Sequence, residues 1–201
     1  HLITPTEWIE SPLVVIEDEH ITTLQSQYTT EMPAGARHLD FPDLVLAPGL
    51  IDIHIHGGAG HDVMESDESA REKIERQLTR HGVTAYLPTT VTAPQDRILQ
   101  ALGHLGKAVT GSGTNKSRAV PLGIHLEGPF ISHAKRGVHP PASLIPPSPA
   151  VLDRFWQASA GTIRMMTVAP ELSGAIETIT HAQSLGVHSS LGHSNATYGE
   201  A

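Results

Sequence analysis

Cysteine is absent from this sequence of 201 residues, and so is any apolar run that approaches the roughly 20 residues of a membrane-spanning helix. Without cysteine there is no disulfide and no thiolate ligand, so a metal would be held by His, Asp or Glu. Basic residues are outnumbered, 13 Lys and Arg against 21 Asp and Glu, and the net charge of -8 argues against a broad surface for nucleic acid or anionic membranes. No signal peptide precedes the first strand-like segment, so we predict a soluble protein of the reducing cytoplasm.

Histidine, by contrast, is abundant, with 14 copies in the chain. Imidazole is the commonest metal ligand of proteins that lack thiolates, so this enrichment points to a metal site without establishing one. The hydrophobic content of 39% and the charged content of 17% are typical of globular proteins. The length suits one domain with its own core or part of a larger barrel.

The pattern of short apolar runs changes near residue 46. Residues 1–46 contain β-like runs at Leu13–Ile16, His20–Leu24 and Leu44–Leu46, which predict a small β layer. Residues 47–201 alternate apolar strands with amphipathic helices, a pattern typical of a parallel sheet with crossover helices. The predicted strands are Leu50–His56, Thr84–Thr90, Ala119–Glu127, Ile163–Ala169 and Val187–Leu191. We therefore predict an α/β fold with about five β/α steps.

Four helices are predicted between these strands. The first covers Asp67–His81 with Ser66 as its N-cap, and the second follows Thr92, which is spaced from Gln95 as in a capping box. The third begins at Ser148 and Pro149, and the fourth runs from Ser173 to a stop at Gly186.

A His-X-His pair stands in the first of these strands. Strict alternation puts Asp52, His54 and His56 on one face of the strand, so the two imidazoles point the same way. An isolated pair of this kind is more often a partly solvated edge than a metal site. Here the apolar neighbours indicate an internal strand, where imidazoles without a partner would be costly, so we predict metal ligation by His54 and His56.

A carboxylate is predicted to lie at the end of the third strand. Alternation places His125 and Glu127 on one face, and Glu127 comes at the carboxyl end, where the active-site residues of a barrel collect. The simpler alternative is a surface ion pair between Glu127 and Lys135 or Arg136. His125 is predicted to be a hydrogen-bonded core histidine rather than a ligand.

Two further histidines follow strand ends. His139 lies one short loop beyond Glu127 and is a candidate for contacting substrate. His193 follows the fifth strand and would project at the same end of the sheet as Glu127, which makes it a fourth candidate metal ligand.

Five short runs, in this order along the chain, resemble the N-acetylglucosamine-6-phosphate deacetylase family of the amidohydrolase superfamily. Each run is modest alone, but the order and spacing of all five are specific, and together they extend over the whole chain. The runs are Leu46-Ala47-Pro48-Gly49-Leu50-Ile51-Asp52-Ile53-His54-Ile55-His56-Gly57, His125-Leu126-Glu127-Gly128-Pro129-Phe130, Lys135-Arg136-Gly137-Val138-His139, Val168-Ala169-Pro170-Glu171 and Gly192-His193-Ser194-Asn195-Ala196-Thr197-Tyr198.

The resemblance implies an incomplete (β/α)8 TIM-type barrel in residues 47–201, preceded in residues 1–46 by part of a small β-sandwich. It implies hydrolysis of the acetamide of N-acetylglucosamine 6-phosphate to glucosamine 6-phosphate and acetate, with this amino-sugar phosphate as the small-molecule partner. It also implies that Glu127 and His193 hold a main divalent metal, while His54 and His56 hold a second ion. Zn²⁺ suits these ligands, with Fe, Mn or Co as alternatives. His139 matches a substrate-contacting histidine, whereas nothing in the residues assigns a role to Glu171.

The same resemblance implies that the catalytic aspartate and a further metal histidine lie beyond Ala201, so the 201-residue chain is expected to be inactive alone. It also implies a homodimer of the full-length protein. Two alternatives remain. One is another amidohydrolase such as a cyclic amidase, although such enzymes usually carry a metal-bridging lysine at the fourth strand, and Ile163–Ala169 contains none. The other is a non-catalytic, truncated chain that binds metal.

Overall fold

The computed structural model describes residues 1–26, 31–111 and 117–201. The chain divides into two compact units, His1–Gly49 and Leu50–Ala201. The assignment of 1–46 and 47–201 to two functional domains stays a prediction.

The first unit consists of short antiparallel pairs. Strand β1 (Leu2–Ile3) pairs with β2 (Trp8–Ile9), and β3 (Pro12–Glu17) pairs with β4 (His20–Ser26). The run Leu44–Leu46, predicted to be a strand, forms only an isolated bridge from Leu46 to Leu2. That prediction is wrong because one paired residue cannot build a ladder of hydrogen bonds.

The second unit contains a parallel sheet in which five strands follow one another in chain order. The strands are β5 (Leu50–Ile55), β8 (Val83–Thr90), β9 (Val120–Pro121), β10 (Ile124–Glu127), β11 (Ile163–Val168) and β12 (His188–Leu191). The order across the sheet is β12, β11, β10, β8, β5, and β9 pairs with β8 off this path. Strands β6 (Gly57–Gly58) and β7 (His61–Asp62) form a separate small antiparallel pair. The sheet and its helices form the predicted incomplete (β/α) barrel.

The predicted strand Ala119–Glu127 is divided into β9 and β10. Pro121 ends β9, and proline has no N–H with which to continue a ladder. After Leu122 and Gly123 the chain resumes as β10, which pairs with both β8 and β11.

The four predicted helices are present, and the starts of the first and the fourth are corrected. They are α1 (Glu68–Arg80), α2 (Gln95–Gly111), α3 (Pro149–Ala158) and α4 (Ala175–Ser184). The N-cap of α1 is Asp67, not Ser66, because the Asp67 carboxylate accepts a hydrogen bond from the Ser69 N–H at 2.9 Å. Helix α4 begins after Gly174, not at Ser173, because Gly174 has a positive φ of 83° that ends the preceding loop. Short 3-10 turns span His133–Lys135 and Pro141–Ser143.

Helices α2, α3 and α4 cover one face of the sheet and form its main core. Leu102 of α2 and Phe155 of α3 pack with Ile124, Met166 and Val168 of the strands, and all five side chains are fully buried. Burial of each such side chain stabilises the fold by about 1.5–3 kcal/mol. This core fixes β10, β11 and β12 side by side, so that their carboxyl ends lie at one edge of the sheet. Within the described part of the chain, no helix has the length and apolar character needed to cross a membrane.

Candidate metal centre

Side chains from three strand ends meet at the carboxyl edge of the parallel sheet. His54 lies in β5 and His56 directly follows it, Glu127 is the last residue of β10, and His193 comes two residues after β12. Because parallel strands present the same end at the same edge, side chains far apart in sequence converge there. His139 joins them from the loop that follows β10.

Glu127 is the centre of this group. Its Oε2 lies 3.1 Å from His56 Nε2 and 3.6 Å from His139 Nε2. Its Oε1 lies 3.1 Å from His193 Nε2 and 3.8 Å from His54 Nε2. The ligand atoms fall into two overlapping groups that share Glu127, one with His54 and His56 and the other with His139 and His193.

The carboxylate is buried and surrounded by imidazoles. Burial acts to raise the pKa of Glu127, but the hydrogen bond with His56 and the charges of His54, His56 and His139 outweigh it and lower the pKa to about 2. The same hydrogen bond raises the pKa of His56, although its partial burial opposes this. The site therefore holds an ionised carboxylate that attracts positive charge.

Backbone carbonyls fix the orientation of two of the rings. His56 Nδ1 lies 3.0 Å from the carbonyl oxygen of Thr89, and His193 Nδ1 lies 2.8 Å from that of Lys135. A carbonyl can only accept a hydrogen bond, so each Nδ1 carries a proton. Each Nε2 lies 3.1 Å from a Glu127 oxygen, to which it donates when the ring is protonated, and loss of that proton leaves a lone pair on Nε2. Both Nε2 atoms face Glu127, and this orientation of histidine by a partner on its other nitrogen is typical of metal ligands.

His139 has the opposite arrangement. The backbone N–H of Thr92 donates to His139 Nδ1 at 3.2 Å, and the Thr92 hydroxyl lies 2.7 Å from the same nitrogen. Nδ1 is therefore an acceptor, and in the neutral ring the proton is on Nε2. Burial, together with the nearby His193 and His56, lowers the pKa of His139 despite the charge of Glu127. Gly128 makes room for this contact, because a side chain there would overlap the Thr92 hydroxyl.

His125 is a buried, hydrogen-bonded core histidine, as the sequence predicts. Its Nδ1 lies 3.2 Å from the carbonyl oxygen of Ile53 and its Nε2 lies 2.8 Å from the hydroxyl of Thr167. Burial lowers its pKa to about 4, so the ring is neutral at pH 7. Its ring packs edge-on against His54, with ring centroids 4.9 Å apart, and so limits the orientation of that histidine.

The structure excludes one alternative for Glu127 and corrects one prediction for Thr92. Glu127 forms its described ion pairs with histidines and not with Lys135 or Arg136, because it is only 6% exposed and faces the sheet edge. Thr92 does not close a capping box on α2, since its hydroxyl is bonded to His139.

The groups that orient the histidines cannot be identified from the sequence. The carbonyls of Thr89 and Lys135 carry no signal in a sequence, because every residue has one. Glu171 could have been noticed, since it belongs to one of the five runs, but its partners follow His193 and are reached only through the fold.

The fold and this edge define the class of the chain, an incomplete (β/α) barrel with candidate metal ligands at the carboxyl ends of its strands. The comparisons with known proteins then confirm the particular resemblance, which is to N-acetylglucosamine-6-phosphate deacetylases. The Bacillus subtilis enzyme of that name is 36% identical over 97% of this chain and 49% of its own. The N-acetylgalactosamine-6-phosphate deacetylase of Escherichia coli O157:H7 is 34% identical over 98% of this chain and 50% of its own.

Solved structures give the same result. Two structures of the Mycobacterium smegmatis N-acetyl-D-glucosamine-6-phosphate deacetylase match 99% of this chain with a TM-score of 0.82 at 30% identity. One of them is a variant in complex with N-acetyl-D-glucosamine-6-phosphate. These matches cover 50% and 49% of the solved chains, so the chain spans about half the length of the relatives it matches. No family model matches the sequence.

Proposed function

We propose that the full-length protein containing this chain is a metal-dependent deacetylase of N-acetylated amino-sugar 6-phosphates. The observation that carries the proposal is the convergence of His54, His56 and His193 on the buried carboxylate of Glu127. These residues would hold one or two divalent ions. The names of the relatives supply the substrate class, since they hydrolyse this kind of acetamide.

The donor set fits a divalent metal such as Zn²⁺. Three imidazoles and one carboxylate are ligands that zinc accepts, with Fe, Mn and Co as alternatives. His56 and His193 have Nδ1 bonded to carbonyls, which leaves their Nε2 lone pairs for a metal. When bound, such an ion supplies Lewis acidity that activates water and polarises an amide carbonyl.

His139 is proposed to bind substrate and not metal. Because Thr92 donates to its Nδ1, the neutral ring presents an N–H at Nε2 beside Glu127. An N–H donor at this point suits a carbonyl or hydroxyl oxygen of a bound sugar, whereas a metal needs a free lone pair. Its burial keeps competing water away from that donor.

Two epimeric substrates are close candidates, because relatives named for N-acetylglucosamine 6-phosphate and for N-acetylgalactosamine 6-phosphate are 36% and 34% identical to this chain.

The test is release of acetate by the full-length protein from each sugar phosphate, after removal of metal with a chelator and again after addition of Zn²⁺, Co²⁺, Mn²⁺ or Fe²⁺. We expect activity only with metal. We expect Glu127→Gln to abolish it, and Glu177→Gln, a change on an exposed turn of α4, to leave it unchanged. The proposal would be falsified if no acetate were released from either substrate with any of the four metals.

The remaining alternatives are tested by the same assay. Hydrolysis of a cyclic amide such as dihydroorotate, with no acetate released, would favour a cyclic amidase. The 201-residue chain by itself is expected to be inactive, and turnover by it would contradict the expectation that an essential aspartate lies outside it. A homodimer of the full-length protein and a cytoplasmic location also remain proposals, and analytical ultracentrifugation measures the first of them.

A further inference from the structure

The loop that carries His193 has an unusual backbone. His193 has a φ of +50°, in the left-handed region that residues other than glycine rarely occupy. Its carbonyl oxygen accepts a hydrogen bond from the Ser132 N–H at 2.9 Å. This conformation turns the chain so that the His193 ring points back to Glu127, and contacts around the loop must hold it.

Glu171 supplies those contacts on the other side of the loop. Its Oε1 accepts a hydrogen bond from the Asn195 N–H at 2.7 Å, and its Oε2 accepts one from the Ser194 hydroxyl at 2.8 Å. The Ser194 hydroxyl in turn accepts the Ala196 N–H at 2.9 Å. One carboxylate from the loop after β11 therefore fixes the three residues that follow His193.

The carboxylate is suited to this task because it is ionised. Partial burial alone would raise the pKa of Glu171, but hydrogen bonds from the Asn195 N–H, from its own backbone and from the hydroxyls of Ser194 and Ser132 outweigh burial and lower it. Hydrogen bonds to an ionised acceptor are stronger than those between neutral groups. The partners of these hydrogen bonds are the loop residues Ser194 and Asn195 and the Ser132 hydroxyl.

We propose that Glu171 is a positioning residue which sets the direction of His193 and thereby the affinity of the site for metal. The inference rests on the proposed metal centre, with His193 as a ligand. Loss of the Glu171 bonds would free residues 194–196, let His193 leave its left-handed conformation and lengthen the path from His193 Nε2 to the ion. Removal of a partner that orients a metal ligand typically lowers metal affinity about 10–100-fold.

The test compares three variants with wild type in the full-length protein. Glu171→Gln keeps the shape of the side chain but offers one acceptor oxygen in place of two, and Ser194→Ala removes a single bond to Glu171. Glu177→Gln is the matched control, an exposed glutamate six positions along the chain. Zn²⁺ affinity is measured by competition with a chromophoric chelator, and the visible absorption of the Co²⁺-loaded protein reports ligand geometry.

We expect roughly 10–100-fold weaker Zn²⁺ binding and an altered Co²⁺ spectrum in Glu171→Gln, a smaller loss in Ser194→Ala and no change in Glu177→Gln. In the metal-free protein, the Nδ1–H resonance of His193 should shift or broaden in Glu171→Gln, while that of His56 should not. If Glu171→Gln misfolds, Ser194→Ala decides the matter. Wild-type affinity in both variants overturns the positioning role, whereas a wild type that binds no metal overturns the proposed metal centre itself.

Discussion

At the scale of single residues, the histidines around Glu127 differ in which nitrogen is free. The Nδ1 atoms of His56 and His193 face carbonyls, and the Nδ1 of His139 faces an N–H. Their Nε2 atoms lie 3.1, 3.1 and 3.6 Å from Glu127, and when neutral His56 and His193 offer it a lone pair while His139 offers an N–H. The division depends on their partners and not on the residue type.

This division predicts the tautomers of the metal-free protein. His56 and His193, when neutral, should carry the proton on Nδ1, and His139 should carry it on Nε2. Long-range ¹H–¹⁵N correlation spectra of the full-length protein, recorded as the pH is raised until the ring signals no longer change, distinguish the two neutral forms. His139 found protonated on Nδ1 would remove the reason for assigning it to substrate instead of metal.

A second residue-scale feature is the buried ionic group beneath α1. The Tyr86 hydroxyl donates to Glu75 Oε1 at 3.1 Å, and Glu75 is also paired with Arg71 and Arg118. Both Tyr86 and Glu75 are almost fully buried. Burial first, and then the charge and hydrogen bond of Glu75, raise the pKa of Tyr86 above its usual value.

Tyr86→Phe should lower the free energy of unfolding by about 1–2 kcal/mol at pH 7, because Glu75 loses one hydrogen bond. Since the folded pKa is raised, the stabilisation from Tyr86 is complete below pH 10 and decreases as the pH rises above it. Wild type should therefore lose about 1 kcal/mol more than Tyr86→Phe between pH 7 and pH 11. Urea denaturation measures both effects. The control is Tyr198→Phe, at a fully exposed tyrosine, and equal effects of the two substitutions would refute the role of the buried hydroxyl.

At the scale of elements, α2 approaches the end of α3 closely at one glycine. A side chain on Gly106 would overlap the backbone carbonyl of Ser159, whereas one on Gly103 would lie 3.8 Å from the carbonyl oxygen of Ala158, an ordinary contact. Both glycines lie within α2. Alanine substitutions at Gly103 and Gly106 gain the same helix propensity but differ in crowding, so the difference in their free energies of unfolding measures the cost of crowding.

Gly106→Ala should destabilise the protein by about 1–3 kcal/mol, since backbone must move to admit the methyl group. Gly103→Ala should stabilise it by up to about 1 kcal/mol, since alanine favours helix. Thermal and urea unfolding of the two variants measure the difference. Equal effects of the same sign would contradict the close packing of α2 on the α3 end.

Element boundaries show how far the sequence could predict the fold. The strands Leu50–Ile55 and Val83–Thr90 agree closely with the predicted bounds, because an apolar run flanked by turn residues indicates a strand locally. The prediction that Leu50–His56 is an internal strand is wrong: β5 lies at one end of the described sheet, and Leu50, Ile51 and Ile53 are more than half exposed, because an apolar run does not reveal how many strands flank it. The break between β9 and β10 was missed, since an apolar run does not reveal a change of pairing partner. The spacing of Thr92 and Gln95 predicts a capping box, but the partner of the Thr92 hydroxyl is His139, 47 residues away, which no local pattern reveals.

At the scale of the whole molecule, buried apolar packing is unevenly distributed. Within residues 1–26 and 31–49, Leu2 is the only buried hydrophobic residue, while both hydrophobic clusters lie in Leu50–Ala201. In the hairpin of β3 and β4, Ile16 and Ile21 are more than 60% exposed. Little apolar burial therefore supports the hydrogen bonds of that hairpin.

Hydrogen exchange should show this difference. Amides of β3 and β4 should exchange through local opening, far faster than those of β10 and β11, which should exchange only on global unfolding. Mass spectrometry of peptic peptides from the full-length protein measures both pairs in one experiment. Equal protection of the hairpin and of the central strands would show that the first unit is stabilised by interactions other than its own core.

The candidate site could be located from the sequence more fully than it could be explained. Alternation along β5 and β10 was enough to predict that His54, His56 and Glu127 would project from strands, and the expected sheet indicated that their ends would meet. Whether a histidine is suited to bind metal or substrate depends on the hydrogen-bond partner of its Nδ1. That partner can be 58 residues away in the sequence, as the Lys135 carbonyl is from His193. Long-range partners of this kind follow from the packed fold alone.

The order of the strands has a consequence for motion. Glu127 ends the middle strand of the five, while the histidines come from the two outermost strands, β5 and β12. An ion shared by these residues would link β5 and β12, at the two ends of the described strand order, to β10 between them. Metal loading should therefore slow the local opening of β5 and β12 much more than that of β10, because the bound ion would restrain both of these strands.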